Sequence, residues 1–272
     1  MLFQGNHAPI VLIRGGGDLA SGVALRLHHA GFQVVITELP QPLVVRRLAS
    51  FAQVVFDGHY QLEDVKGQLV PDAASTLTAL TAGKVAVLVD AKAEIRHQLP
   101  LFALVDGRMT KSAPDLGLEA APRVIGLGPG FTAGVNCHAV VETNRGPYLG
   151  RVYWQGQAEP DSGVPESVKG FNVERVLYAP CSGVLTAYVN IGDILEPGQV
   201  IADVNGMPVT AKFKGVLRGL IQAGVEVKKG LKIGDLDPRC NPSICALASD
   251  KALAIGGGVL EAILSSKFEA DK

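Results

Sequence analysis

Short apolar runs separated by glycine turns run through the chain. Ile10-Val11-Leu12-Ile13 reads as a buried strand, and Gly15-Gly16-Gly17 breaks it. Asp18 is placed to cap the helix that follows. Leu19, Val23 and Leu27 recur every four residues, with Ala20 and Ala24 beside them, which predicts a helix with one apolar stripe that Gly31 stops. Residues 33–37 form a second strand ending at Glu38, so the chain opens as a β-α-β unit. The pattern then predicts a short helix over 44–48, a strand over 53–56 and a helix over 73–81. The run 84–90 (KVAVLVD) is apolar on both faces, as a central parallel strand is. Residues 123–127 form another strand running into Gly128-Pro129-Gly130, and 139–143 an edge strand.

A repeat changes the picture in the second half. Residues 179–203 recur at 211–235 with an offset of 32, matching Gly183 to Gly215, Gly192 to Gly224, Gly198 to Gly230 and Asp203 to Asp235. Each copy alternates short apolar runs with glycine turns, which predicts two interlocking β-halves built like a small swinging-arm carrier. The turn between the copies reads Asn205-Gly206-Met207-Pro208 and carries no acceptor lysine. Lys212 and Lys214 lie beyond it, on the return arm. Covalent biotin or lipoyl attachment is therefore not expected. The expected fold class is α/β: a Rossmann-like parallel sheet domain at 1–154, a linker at 155–169 and an all-β biotinyl/lipoyl-like barrel-sandwich hybrid at 170–236. A C-terminal segment, 237–272, then carries a helix packing back on the first domain. Three glycines in that apolar helix (256–258) would cost roughly 2–3 kcal/mol against alanines. They are read as a turn before the helix or a close approach to a ligand or to the sheet.

Composition narrows the class. Apolar residues make up 47%, charged residues only 19%, and formal net charge is −1, so neither a nucleic-acid surface nor a disordered acidic tail is indicated. No signal peptide or uninterrupted apolar span stands out, and the expectation is a cytoplasmic protein without a membrane segment. The four cysteines, 137, 181, 240 and 245, lack metal-knuckle spacing, and no metal site is expected.

Two glycine turns carry candidate chemistry. Gly15-x-Gly17-x-x-Ala20 follows a strand and opens a helix, with Glu38 twenty-one residues after Gly17, where an acid meets a ribose hydroxyl in dinucleotide folds. Gly15 would allow the turn, Gly17 would admit a phosphate, and Asp18 would add an opposing charge. A nucleotide or related phosphate, another anionic ligand and a purely structural turn all fit. The second turn, 126–134, places Gly128, Gly130 and Thr132 as a backbone anion nest at a strand end. Cys137 follows, as a nucleophile, a sulfur contact or a buried small hydrophobe. His138 would face the other way on a strand. Arg145 suits a phosphate, a carboxylate or a structural ion pair. Lys92 and Lys111 place charge near the same crevice.

The segment 13–22 (IRGGGDLASG), Thr37-Glu38, 42–47 (PLVVRR), 89–91 (VDA), the block 126–146 (GLGPGFTAGVNCHAVVETNRG) and the ending at 249–251 and 254–262 together resemble the selenium-dependent molybdenum hydroxylase accessory proteins, the YqeB family. The resemblance covers nearly the whole chain, and the 126–146 block is its most specific part. It implies a relation, in the Rossmann part, to xanthine dehydrogenase accessory chaperones. It further implies non-covalent handling of molybdopterin cofactor or a nucleotide, with a molybdenum hydroxylase as client and a possible homo-oligomer. Whether the protein catalyses a step is left open by the resemblance. One departure stands out: Asn136-Cys137-His138 occupies a place where Asp-Cys-His is expected, which removes a charge beside the candidate sulfur contact. The competing expectations are an NAD(P)-dependent oxidoreductase, which lacks any hydride-transfer signature here, and a structural adaptor whose glycine turns are only turns.

Overall fold

A computed structural model describes residues 8–161, 163 and 167–268. The chain forms two compact units. The first takes the chain up to Pro40, Phe51–Asp161 and the chain from Ala248 on; the second takes Gln41–Ser50 and Ser162–Leu247. Segment 41–50, assigned to the first domain from sequence, thus clusters with the second unit.

The first unit is a mostly parallel sheet of β1 (Ile10–Arg14), β2 (Gln33–Glu38), β3 (His59–Leu62), β4 (Val65–Leu69), β5 (Val85–Val89), β6 (Leu101–Asp106), β7 (Val124–Leu127), β9 (Ala139–Val141) and β10 (Val152–Tyr153). Their order across the sheet is β10-β9-β7-β6-β1-β2-β5-β4-β3. Only the outermost pairs, β3 with β4 and β9 with β10, are antiparallel. A separate ribbon joins β8 (Thr132–Ala133) to β11 (Gly156–Gln157). The helices are α1 (Asp18–His29), α2 (Val54–Asp57), α3 (Ala73–Thr81) and α4 (Asp250–Leu264).

Period-two alternation divides the core. Val11, Ile13, Val34, Ile36, Val85, Val87, Val105 and Ile125 face one way and bury Val23 and Leu27 of α1 with Ile255 and Val259 of α4. Ile10, Leu12, Val35, Ala86, Leu88 and Leu104 face the other way and bury Ala79 and Leu80 of α3. The direction of connection reverses at β1: the chain builds β2 and β5 on one side, then crosses to place β6 on the other. In open α/β sheets ligands bind at the carboxyl ends of the strands at such a reversal, here those of β1 and β6.

Three local expectations are corrected. Gly17, not Asp18, is the N-cap of α1, and Asp18 stands in the first turn, where its charge meets the positive end of the helix dipole. Residues 53–56 are not a strand. Phe51–Gln53 forms a 3-10 turn leading into α2, because Phe51 and Val54, three apart, both pack on Gly67. The segment 44–48 yields only a 3-10 turn, Arg47–Ala49.

Gly256, Gly257 and Gly258 lie inside α4, not before it. A Cβ on Gly22 of α1 would lie 2.7 Å from the Ala252 carbonyl carbon, and one on Gly256 would lie 2.8 Å from the Gly22 carbonyl oxygen. A Cβ on Gly258 would run into the carbonyl oxygen of Gly150. Two helices and a loop therefore approach to backbone contact. The stretch Pro242–Phe268 has the length and hydropathy of a membrane-crossing helix by composition. Its α4 part spends that apolarity on Val23 and Leu27 of α1 and on the sheet.

The second unit holds β12 (Val176–Tyr178), β13 (Gly183–Ala187), β14 (Ile194–Leu195), β15 (Val200–Val204), β16 (Met207–Thr210), β17 (Gly215–Leu220), β18 (Glu226–Val227) and β19 (Lys232–Asp237). They form two four-stranded antiparallel sheets, β12-β19-β17-β14 and β16-β15-β13-β18. The repeat is visible bond by bond. Gly192 N–H donates to the Leu217 carbonyl while Gly224 N–H donates to Leu185, and Gly198 N–H donates to Ala211 while Gly230 N–H donates to Ala179. Each bond is its partner's image after the offset of 32, and each crosses from one copy to the other. The Asn205-Gly206 turn has φ of 48° and 79°, as a tight two-residue hairpin turn requires.

Adjacent glycines of α4 should respond with opposite signs. Gly258→Ala, facing backbone, is expected to lower stability by roughly 1–3 kcal/mol. Gly257→Ala, facing open space on the helix, is expected to raise it by up to about 1 kcal/mol. Urea unfolding of the two variants checks both signs.

Candidate functional site

The carboxyl ends of β1 and β6 carry four charged side chains. Arg14 ends β1 and is in register with Asp106 at the end of β6. Arg14 is only 1% exposed. Its Nη1 lies 3.5 Å from Asp106 Oδ2 and donates to Asp115 Oδ1 at 2.8 Å. Its Nη2 donates to Asp115 Oδ2 and to the Ala91 carbonyl, both at 3.1 Å. Arg108 grips Asp106 through Nε at 2.9 Å and Nη2 at 2.6 Å, and the same Nη2 donates to Asp115 Oδ1 at 2.7 Å. The Arg14 hydrogen bond, helped by Arg108, holds the Asp115 carboxyl well below the usual carboxylate range. Hydrogen bonding to Asp106 pushes the Arg108 guanidinium further up. Both stay ionised at any physiological pH.

The glycine turns frame this cluster. Gly15 (φ 86°) lies beneath Arg108, whose Cγ would be 3.3 Å from a Cβ there. A Cβ on Gly128 would meet Met109 at 3.1 Å, and one on Gly130 would run into the Thr110 carbonyl oxygen. Residues 108–110 thus thread between the two turns predicted to bind ligand. The structure brings Gly15, Gly128 and Gly130 around one loop.

Several donors expected for a ligand are already engaged. Gly15 N–H donates to the Thr37 carbonyl at 2.8 Å. Glu38 Oε2 accepts from Gly16 N–H at 2.6 Å, and its Oε1 accepts from Leu39 N–H at 2.8 Å. Glu38 is thus directed into the glycine turn, with both oxygens accepting backbone N–H. Thr132 N–H donates to Asn136 Oδ1 at 2.8 Å, and Thr132 Oγ1 accepts from Gln157 at 2.7 Å. Position 136 therefore works as an oxygen acceptor that closes a turn, a role Asn and Asp share.

Cys137 is fully buried, and burial pushes its thiol up to about 12. Neither Cys137 nor His138 lies on a strand, since β9 begins at Ala139, and His138 has partners of its own. Its Nδ1 accepts from Val124 N–H at 2.9 Å, and its ring meets Phe268 edge-on. Arg145 forms a two-point pair with Asp250 at the start of α4, 2.8 Å for each bond, and Lys111 pairs with Asp161. Neither reaches the Arg14 cluster through these bonds. Among the described residues no group of three or more His, Cys, Asp or Glu is arranged to hold a metal ion.

The fork of Arg14, Asp106, Arg108 and Asp115 was not singled out from sequence. The signal was the run 101–106 (LFALVD) ending in Asp-Gly-Arg, a strand with charge at its carboxyl end like the strand at β1.

No family model matches the chain. A curated relative does: "Uncharacterized protein YqeB" of Escherichia coli strain K12 is 44% identical over 255 residues. The chain is a homologue of YqeB. The match takes in 94% of this chain and 47% of the relative, so the chain spans about half the length of that protein. Solved structures give only faint likeness. An aspartoacylase family protein from Mesorhizobium loti is 13% identical with a TM-score of 0.24, covering 85% of each chain. The ectoine utilization protein EutE (DoeB) from Ruegeria pomeroyi, in a product-bound structure, is 10% identical with a TM-score of 0.24, covering 84% of this chain and 58% of that one. Likeness at that level carries no argument.

The burial of Cys137 has a direct readout. At pH 7–8 iodoacetamide should leave Cys137 unlabelled in the native protein while Cys181 and Cys240, both partly exposed, react first, as mapped by mass spectrometry. Because the native thiol keeps its proton above the ordinary thiol range, its share of stability is complete below that range. That share is lost as pH rises toward about 12. Cys137→Ala should flatten that alkaline decline.

Proposed function

We propose that this protein is an accessory factor that holds a phosphate-bearing molybdenum cofactor for a molybdenum hydroxylase client, in the cytoplasm and without covalent attachment. The observation that carries the reading is the Arg14–Arg108 pair at the reversal of strand order, beside the Gly15–Gly17 turn that opens α1. Two guanidiniums at that position suit the phosphate of a molybdopterin or of its nucleotide form. The resemblance of the 126–146 block to the selenium-dependent hydroxylase accessory proteins supplies the client class, and homology to YqeB supports the sequence resemblance alone.

The residues fit the two ends of such a cofactor unequally. Arg14 and Arg108 suit its phosphate, with Gly15, Gly128 and Gly130 making room for the loop that carries Arg108. The cofactor itself would supply the metal–sulfur chemistry. Cys137 does not fit the metal or chalcogen end as it stands, since its protonated thiol is covered; it would serve there only after the 128–137 turn opens. The second unit is proposed as a biotinyl/lipoyl-like barrel-sandwich module that docks the client instead of carrying a group. The exchange of strands between its repeated halves and its lysine-free Asn205-Gly206 turn support that reading.

The engagement of Glu38 by Gly16 and Leu39 weighs against the oxidoreductase reading, because that acid is then not presented to a ribose. Purification followed by phosphorus and molybdenum analysis, with calorimetric titration of molybdopterin and its nucleotide form, tests the assignment. Binding of one form at micromolar concentration or below is expected. Binding of neither overturns the assignment, and binding of a nicotinamide dinucleotide instead would replace it with the oxidoreductase.

A further inference from the structure

The carboxylate of Asp115 sits where a ligand oxyanion would sit. It accepts from both Nη atoms of Arg14 and from Nη2 of Arg108, three N–H donors converging on two oxygens. The two aspartates of the cluster are not equivalent. Asp106 ends a central strand, is buried and is fixed by Arg108 through side chain and backbone. Asp115 lies in a stretch without helix or strand between β6 and the 3-10 turn Leu118–Ala120, and its side chain is 56% exposed. The residues leading to it include Met109, held at φ 57°, a region a non-glycine residue rarely takes.

Charge counting separates their roles. Arg14 and Arg108 bring two positive charges and Asp106 one negative, so within this cluster one positive charge remains for a further partner to neutralise. Burial of Arg14 makes that partner necessary, since an uncompensated interior cation is costly. The partner need not belong to the chain. A phosphate monoester or diphosphate offers the same paired oxygens with more charge.

We infer that Asp115 is a displaceable internal counter-ion: a phosphate or diphosphate group takes its place on Arg14 and Arg108, and the 109–117 loop moves with it. The inference rests on the reading that this crevice takes a phosphate-bearing ligand, and it specifies how. The site is closed by its own carboxylate when empty, so weak anions are excluded. A ligand must bring enough charge and enough further contact to expel Asp115.

Titration of the full chain with sodium pyrophosphate at low ionic strength, by calorimetry, tests this. Asp115→Asn and Asp115→Ala should bind pyrophosphate about tenfold or more tightly than the unaltered protein, because the competing charge is gone. Arg108→Gln should bind about tenfold or more weakly. Acetate should bind detectably only to the Asp115 variants. Equal or weaker pyrophosphate binding by folded Asp115 variants overturns the inference. Unfolding of both variants that excess pyrophosphate does not reverse, read by circular dichroism, overturns it too, since another anion then cannot take the place of Asp115. The expected pyrophosphate pattern without binding of any molybdopterin form would sink the cofactor assignment and leave the displacement standing. Molybdopterin binding that is indifferent to Asp115 and Arg108 would do the reverse.

Discussion

Arg14 is a guanidinium buried at the end of the central strand, and the surrounding structure answers that charge. Its neighbours on β1 are apolar and fully covered, so no water reaches it from the core side. The parallel register that sets Arg14 opposite Asp106 brings one negative charge, but Arg108 shares that carboxylate. Compensation therefore has to come from beyond the sheet, through the loop after β6 and the Ala91 carbonyl after β5. The reversal of strand order makes this possible. There the chain leaves β1 and its neighbours toward opposite halves of the sheet, so loops from both halves meet at the end of β1. A charge that costs stability in isolation thus fixes the positions of three loops around one crevice.

The glycines serve that geometry in two ways. Gly15 and the turn at Gly128–Gly130 leave room for the 108–110 segment, so the loop bearing Arg108 lies against backbone on both sides. Gly22 and Gly256 let α1 and α4 approach until backbones touch, and Gly258 lets α4 meet the Gly150 loop, while both helices bury their apolar stripes on the sheet. Since α1 begins at the Gly17 cap, its placement also sets the Gly15–Gly17 turn beneath Arg108.

Legibility in the sequence followed the kind of signal each element gives. The opening β-α-β unit was readable because Val23 and Leu27 recur at helical spacing between two apolar runs. The central run 84–90 was readable because it is apolar on both faces. The strand exchange of the second unit was foreshadowed by glycines repeating at an offset of 32, since turn residues with positive φ tolerate few substitutes. The residues around Phe51–Asp57 were misread because a short apolar run has no period; packing of Phe51 and Val54 on Gly67 decides for a helical turn. Likewise Gly256–Gly258 suggested a break, because helix propensity is local whereas the contacts that offset its cost lie 100 residues or more away, on Gly150 and α1. The charged fork was illegible for the same reason. Arg14 and Asp115 are 101 positions apart, and nothing near either names the other.

The glycine fingerprint and the charged fork lead to different chemistry at the same place. A backbone nest binds phosphate through N–H groups that must be free, and here Gly15 and Gly16 give theirs to Thr37 and Glu38. An acid aimed into the turn, with Asp18 just beyond it, makes the turn itself a poor anion receptor. Positive charge enters from β1 and β6 instead, as side chains and not as backbone. Selection by such a site depends on charge and on two-point geometry more than on close fit to a nucleotide. Under the proposed function, a cofactor taken up and then released to another protein would be held by a contact that the chain's own aspartate can reclaim. A nest with no internal competitor would have to be emptied by the recipient alone.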